Sequence, residues 1–257
     1  MNNLVSIITP SFNSSEYLSK TIESIMAQTY TNWELLITDD CSADETISII
    51  KEYIEKDNRI KLFQLEENSG AGVVRNNSIK KANGRFIAFC DSDDTWLPDK
   101  LEKQISFMEE KKCALSYSSY WVQNENDEII KEVECLEKIT YSDLVKDNCV
   151  GCLTAMYDVS LLGKIYMPTL RKRQDWGLWV IIIKQCHEAF GIKEPLAVYR
   201  LRNDSISSNK IELVEHNIRV YTEVLGFSKV KAYIAFCFLF IPTYIKKKLF
   251  FTKKYKN

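Results

Sequence analysis

The chain has 257 residues, long enough for one large α/β unit or two smaller ones with a sizeable buried core. Its 34 basic and 35 acidic residues leave a net charge of −1, so the overall field does not argue for nucleic acid as a partner. Eight cysteines lie scattered in mostly apolar context. The one close pair, Cys149 and Cys152, lacks the second pair or the histidines that would complete a zinc site, so core or bystander thiols are expected.

The N-terminal stretch MNNLVSIITPSF has no basic leader, apolar run and small-residue cleavage site in sequence. It reads as a strand rather than a signal peptide, and the chain as cytosolic. Residues 4–9, LVSIIT, are apolar and β-branched and stop at Pro10, which cannot continue a central strand. Residues 15–28 then carry Tyr17, Leu18, Ile22, Ile25 and Met26 at helical spacing. The alternation repeats through WELLIT at 33–38, a helix from about 43 to 56 opened by a capping box at Ser42 and Glu45, and IKLFQL at 60–65. A helix from about 71 to 83, closed by Gly84, leads to FIAFC at 86–90. Four strands separated by helices of this length predict a parallel, doubly wound sheet, with ligands outside the carboxyl ends of the strands. Beyond it the pattern predicts a helix at about 99–111, a strand at 113–122, a short helix near 140–147 and an apolar helix at 175–186.

The strand ends on that rim are rich in acid. The second gives Asp39 and Asp40, the fourth Asp91-Ser92-Asp93-Asp94. Clustered carboxylates at the end of a buried strand repel and resist desolvation, so a cation or strong donors should sit beside them. Oxygen-only ligands at this spacing suit Mg²⁺ or Mn²⁺ that also holds waters and phosphates; a solvated acidic turn is the plainer alternative. Three enzyme classes compete for the segment. Asp91-x-Asp93-x-Thr95 matches the nucleophile motif of haloacid-dehalogenase-type phosphatases, but that motif opens its fold on the first strand and here follows the fourth. Gly70-Ala71-Gly72 opens a helix as in dinucleotide-binding oxidoreductases, but Arg75 stands where the third glycine belongs. The third class draws on several loops together.

VSIITPSFN at 5–13, LLITDDCSADET at 35–46, NSGAGVVRNNSIKKANGRFIAFCDSDDTWLPDKL at 68–101 and QDWGLW at 174–179 together resemble family 2 glycosyltransferases of the GT-A fold. The resemblance covers the first 120 or so residues strongly and the rest more loosely. It implies a Rossmann-like, mostly parallel central sheet flanked by helices, followed here by a C-terminal helical extension. It also implies roles residue by residue. Pro10, Phe12, Asp39 and Arg75 match positions that hold the uracil base, with Asp39 accepting from the pyrimidine N3–H and Asp40 shaping the loop. Asp91 and Asp93 match contacts to the ribose and the donor sugar, and Asp94 matches the ligand of the Mn²⁺ or Mg²⁺ that bridges the two phosphates. Asp175 matches the base that deprotonates the acceptor hydroxyl; an N-cap carboxylate is its plainer role. Arg173, Arg200 and Arg202 are candidates for diphosphate or acceptor contacts.

After Glu223 the sequence has no acidic residue but eight lysines. Residues 230–251 hold an apolar run of about eleven, broken by Pro242, against the roughly 20 needed to cross a bilayer. The segment is expected to lie on an anionic membrane surface; a helix packed on the catalytic domain is the alternative. The chain thus divides into a nucleotide-sugar-binding half at 1–98, an acceptor-binding and catalytic-base half at 99–210, and a basic C-terminal segment at 211–257. The expectation is an inverting, metal-dependent hexosyltransferase, peripheral on the inner face of the cell membrane. It would move a hexose from a UDP-sugar to a polyprenyl-diphosphate-linked glycan of the O-antigen or capsule type. The alternatives are a haloacid-dehalogenase-type phosphatase using Asp91 and Asp93, or a non-catalytic nucleotide-sugar-binding module.

Overall fold

A computed structural model describes residues 3–201, 210–250 and 252–254. Its first half alternates β1 (Val5–Ser11), α1 (Leu18–Met26), β2 (Trp33–Asp39), α2 (Thr46–Lys56), β3 (Ile60–Gln64), α3 (Ala71–Lys81) and β4 (Phe86–Phe89). These strands lie parallel in the order β3-β2-β1-β4. Each alternates its apolar side chains between two cores, because successive residues of a strand point to opposite faces. Ile7, Leu35, Ile37, Phe86 and Ala88 face one core with Leu18, Ile22 and Leu101, while Ile8, Leu36, Ile87 and Phe89 face the other.

The second half completes the sheet in mixed directions. It runs β5 (Thr95–Trp96), α4 (Lys100–Lys111), β6 (Leu115–Gln123), β7 (Ile129–Val133), β8 (Lys138–Thr140), α5 (Tyr141–Lys146), β9 (Met156–Asp158), α6 (Val159–Leu162), α7 (Gln174–Cys186) and β10 (Glu188–Arg200). β9 lies antiparallel between β4 and β6, and β10 runs parallel to β6. β10 is absent from the sequence reading because Gly191, Lys193, Glu194 and Pro195 interrupt its apolar pattern. The ladder tolerates Pro195 at a register shift.

Two helix boundaries differ from expectation. No capping box opens α2: Ser42 turns its backbone N–H and its hydroxyl to Asp39, and the helix begins four residues later. Gly84 does not close α3, whose last residue is Lys81. A Cβ at Gly84 would lie 2.6 Å from the Leu4 carbonyl oxygen, so glycine is required there by the close passage of β1.

The C-terminal segment comprises α8 (Lys210–Arg219), α9 (Lys229–Ala235), α10 (Ile241–Phe250) and β11 (Thr252–Lys254), with wider π-helical turns at Val220–Val224 and Phe236–Phe240. One side of it joins the core: Phe240 and Tyr221 pack on Trp176 of α7 with ring centroids 5.9 and 5.7 Å away. The other side is exposed and apolar, with Val230, Tyr233, Ile234, Phe238, Tyr244 and Ile245 facing outward. Packing on the domain and an exposed apolar face therefore coexist in one segment. Among the described residues, no helix is long and apolar enough to cross a membrane.

Candidate active site

The carboxyl ends of β1 and β2 are in register, Ser11 opposite Asp39. The Ser11 hydroxyl donates to Asp39 Oδ1 at 2.9 Å, and Ser42 donates its N–H to Oδ2 at 2.8 Å and its hydroxyl to Oδ1 at 2.6 Å. Asp39 is buried and held from both sides. Pro10 is half-buried on β1, and Phe12, just beyond it, is 48% exposed. Asp40 accepts the backbone N–H groups of Ser69 and Gly70 at 2.7 and 2.8 Å, which fixes the turn into α3. Gly70 sits there at φ +85°, a conformation that favours glycine.

α3 carries Arg75 inward. Arg75 Nη2 donates to Asp91 Oδ1 at 2.5 Å, and its Nε is buried without a partner. Burial, the largest single influence, lowers the Arg75 pKa, but the charge and hydrogen bond of Asp91 together with Cys152 and Asp175 outweigh it and the net shift is upward. Cys152 and Asp175 also act on Arg75, so this arginine belongs to the Asp91 and Asp175 side of the rim.

Asp94 is buried, and its Oδ1 accepts the backbone N–H of Arg200 at 3.1 Å. Burial, then the charges of Asp93 and Asp91, hold its carboxyl well above the usual range. Among the described residues, no group of three or more His, Cys, Asp or Glu side chains could hold a metal by itself. The oxygen-only donors and their accumulated negative charge fit a divalent cation that takes its remaining ligands from phosphate and water. The Arg200 guanidinium is engaged elsewhere, pairing with Asp127 at 2.8 Å and lying 5.0 Å from the Tyr17 ring centroid. Arg202 lies outside the described residues.

Asp175 stands in the first turn of α7 and accepts from Asn148 Nδ2 at 2.7 Å. The starts of α3 and α7 are pressed together, since a Cβ on Gly72 would lie 3.0 Å from Gln174 Cγ. Arg173 precedes the helix at φ +66°, with its Nε buried and unpartnered. Asn76 exchanges two hydrogen bonds with the backbone of Met167, at 2.9 and 2.7 Å, and so ties the loop before α7 to α3.

Sequence reasoning missed two members of this site. Asn148 lies in a segment without a motif. Cys152, read as a bystander, feels Arg75, Asp91, Asp175 and Asp94, while burial pushes its thiol far up and keeps it neutral.

A mixed sheet with an acidic rim at the carboxyl ends of its parallel strands is the architecture of the GT-A fold. The model of Glycosyl transferase family 2 matches residues 6–196, and the chain belongs to that family. It is a glycosyltransferase. TuaG of Bacillus subtilis (strain 168), named for teichuronic acid biosynthesis, is 43% identical over 96% of this chain and 98% of its own. WfgD of Escherichia coli, named UDP-Glc:alpha-D-GlcNAc-diphosphoundecaprenol beta-1,3-glucosyltransferase, is 39% identical over 99% of this chain and 97% of its own. The fold is similar to that of S. aureus TarS 1-349 in complex with UDP-GlcNAc, with a TM-score of 0.71 and 23% identity over 89% of this chain and 69% of that one.

Proposed function

We propose that the chain is an inverting hexosyltransferase that moves glucose, galactose or an N-acetylhexosamine from a UDP-sugar to a polyprenyl-diphosphate-linked glycan during synthesis of a cell-surface polysaccharide. The observation that carries the reading is that α3 links the two acidic groups: its Arg75 pairs with Asp91 after β4, and its Gly72 packs on Gln174, next to Asp175. Likeness to WfgD along nearly the whole chain supports the donor and acceptor classes and makes UDP-glucose the first donor to test.

Pro10, Phe12, Asp39 and Arg75 hold the uracil base, with Arg75 also bracing Asp91 where the ribose binds. Asp93 contacts the donor sugar. Mn²⁺ or Mg²⁺ at Asp94 would supply Lewis-acid charge to the departing diphosphate. Asp175 accepts the proton of the acceptor hydroxyl as that oxygen attacks the anomeric carbon opposite the diphosphate, so a single displacement inverts the centre. Arg173 and Arg202 serve the diphosphate or the acceptor. Residues 1–98 hold the donor, 99–210 the acceptor and base, and the exposed apolar face of 211–257, with its lysines, rests on the anionic inner leaflet.

Replacing Asp175 by Asn tests the reading. Turnover of UDP-sugar with a lipid-linked acceptor should fall by about 10²–10⁴-fold while UDP affinity is unchanged. Unchanged turnover would remove Asp175 as the base and favour a binding module.

A further inference from the structure

The base assigned above is tied to the C-terminal helix. Lys247 of α10 donates to Asp147 Oδ2 at 3.1 Å and to the Asn148 carbonyl at 2.7 Å. Its side chain is 38% exposed and that of Asp147 only 6%. The Asn148 side chain is pinned at both ends: its Oδ1 accepts the Val150 N–H at 3.2 Å, and its Nδ2 donates to Asp175 at 2.7 Å. The preceding turn also grips the core, because Trp176 Nε1 donates to the Leu144 carbonyl at 2.7 Å and the Tyr221 hydroxyl to the Val145 carbonyl at 2.8 Å.

A carboxylate in the first turn of a helix ordinarily turns to that helix's own free N–H groups. Asn148 instead offers Asp175 a partner across the site, and the amide can do so only while its backbone is held. The geometry points to Lys247 as a positioning residue for Asp175, acting through Asn148. This inference rests on the reading of Asp175 as the base. The same helix turns Tyr244 and Ile245 outward, so the pose of the base is tied to the segment assigned to the membrane surface.

Lys247→Met, Lys247→Arg, Asn148→Leu and Asp175→Asn, all in the full chain, test it by steady-state kinetics with UDP calorimetry and thermal melting. Lys247→Met and Asn148→Leu should each lower kcat by about 10–10²-fold, with donor KM and UDP affinity within about twofold of the parent. Lys247→Arg, which keeps donors for both oxygens, should recover most of the loss. Full kcat in Lys247→Met beside an inactive Asp175→Asn would overturn the Lys247 link and leave the base in place. Turnover retained in Asp175→Asn would overturn the base and the link together. Joint loss of UDP binding and melting temperature in Lys247→Met would overturn positioning in favour of a general packing role.

Discussion

The backbone N–H of Arg200 donates to Asp94 at 3.1 Å, joining positions 106 residues apart. The end of β10 thereby completes the acidic turn after β4. The Arg200 N–H and the Arg75 charge do not offset burial and the charges of Asp93 and Asp91, so the buried charge rather than hydrogen bonding should dominate the behaviour of Asp94. Asp94→Asn keeps an acceptor for Arg200 and removes the charge. Calorimetry should show UDP affinity in Mn²⁺ reduced by at least about tenfold, to the level the parent shows in EDTA.

Lys100 is fully buried, its ammonium donating to Gln104 Oε1 at 2.7 Å beneath the Trp96 ring. Burial pulls its pKa from 10.5 to about 7. Between those values the unfolded chain binds a proton that the folded protein does not, so this group's contribution to stability rises with pH by up to about 1.4 kcal/mol per unit. Lys100→Met removes that slope. Urea unfolding should show the variant gaining most on the parent below pH 7, with the advantage shrinking toward pH 10.

Gly191 has no room for a side chain, since a Cβ would lie 2.2 Å from the Leu136 carbonyl oxygen and 2.7 Å from the Tyr117 ring. Gly191→Ala should cost about 1–3 kcal/mol or more in denaturant unfolding, with UDP affinity retained.

Phe238 is 75% exposed on the outer face of the C-terminal segment. Deleting the segment would also strip Phe240 from Trp176, so a point change is the cleaner probe. Phe238→Asp should reduce co-sedimentation with anionic vesicles and leave melting unchanged; equal sedimentation of parent and variant would remove the membrane assignment.

The βαβ alternation of the first half was legible because it depends on local periodicity: Ile7 and Ile8, or Leu35 and Leu36, declare two buried faces by adjacency alone. The acidic turn after β4 was legible for the same reason, as a charge cluster on a buried strand. Ser42 was misread because its hydroxyl had a competing partner in Asp39. Asn148 was missed because no chemistry-bearing pattern includes it, and Cys152 because its pairing with Cys149 completes no site within the local sequence.

The sequence by itself determined the order of elements in the first half, the acids on one rim and the candidates for donor, metal and base. Tertiary structure alone decided that Arg75 pairs with Asp91, that β10 reaches Asp94, and that Lys247 and Asn148 meet beside Asp175. The physical reason is range. Periodicity and charge clusters act over a few residues, whereas these partners are brought together by a packed sheet and helices from distant parts of the chain.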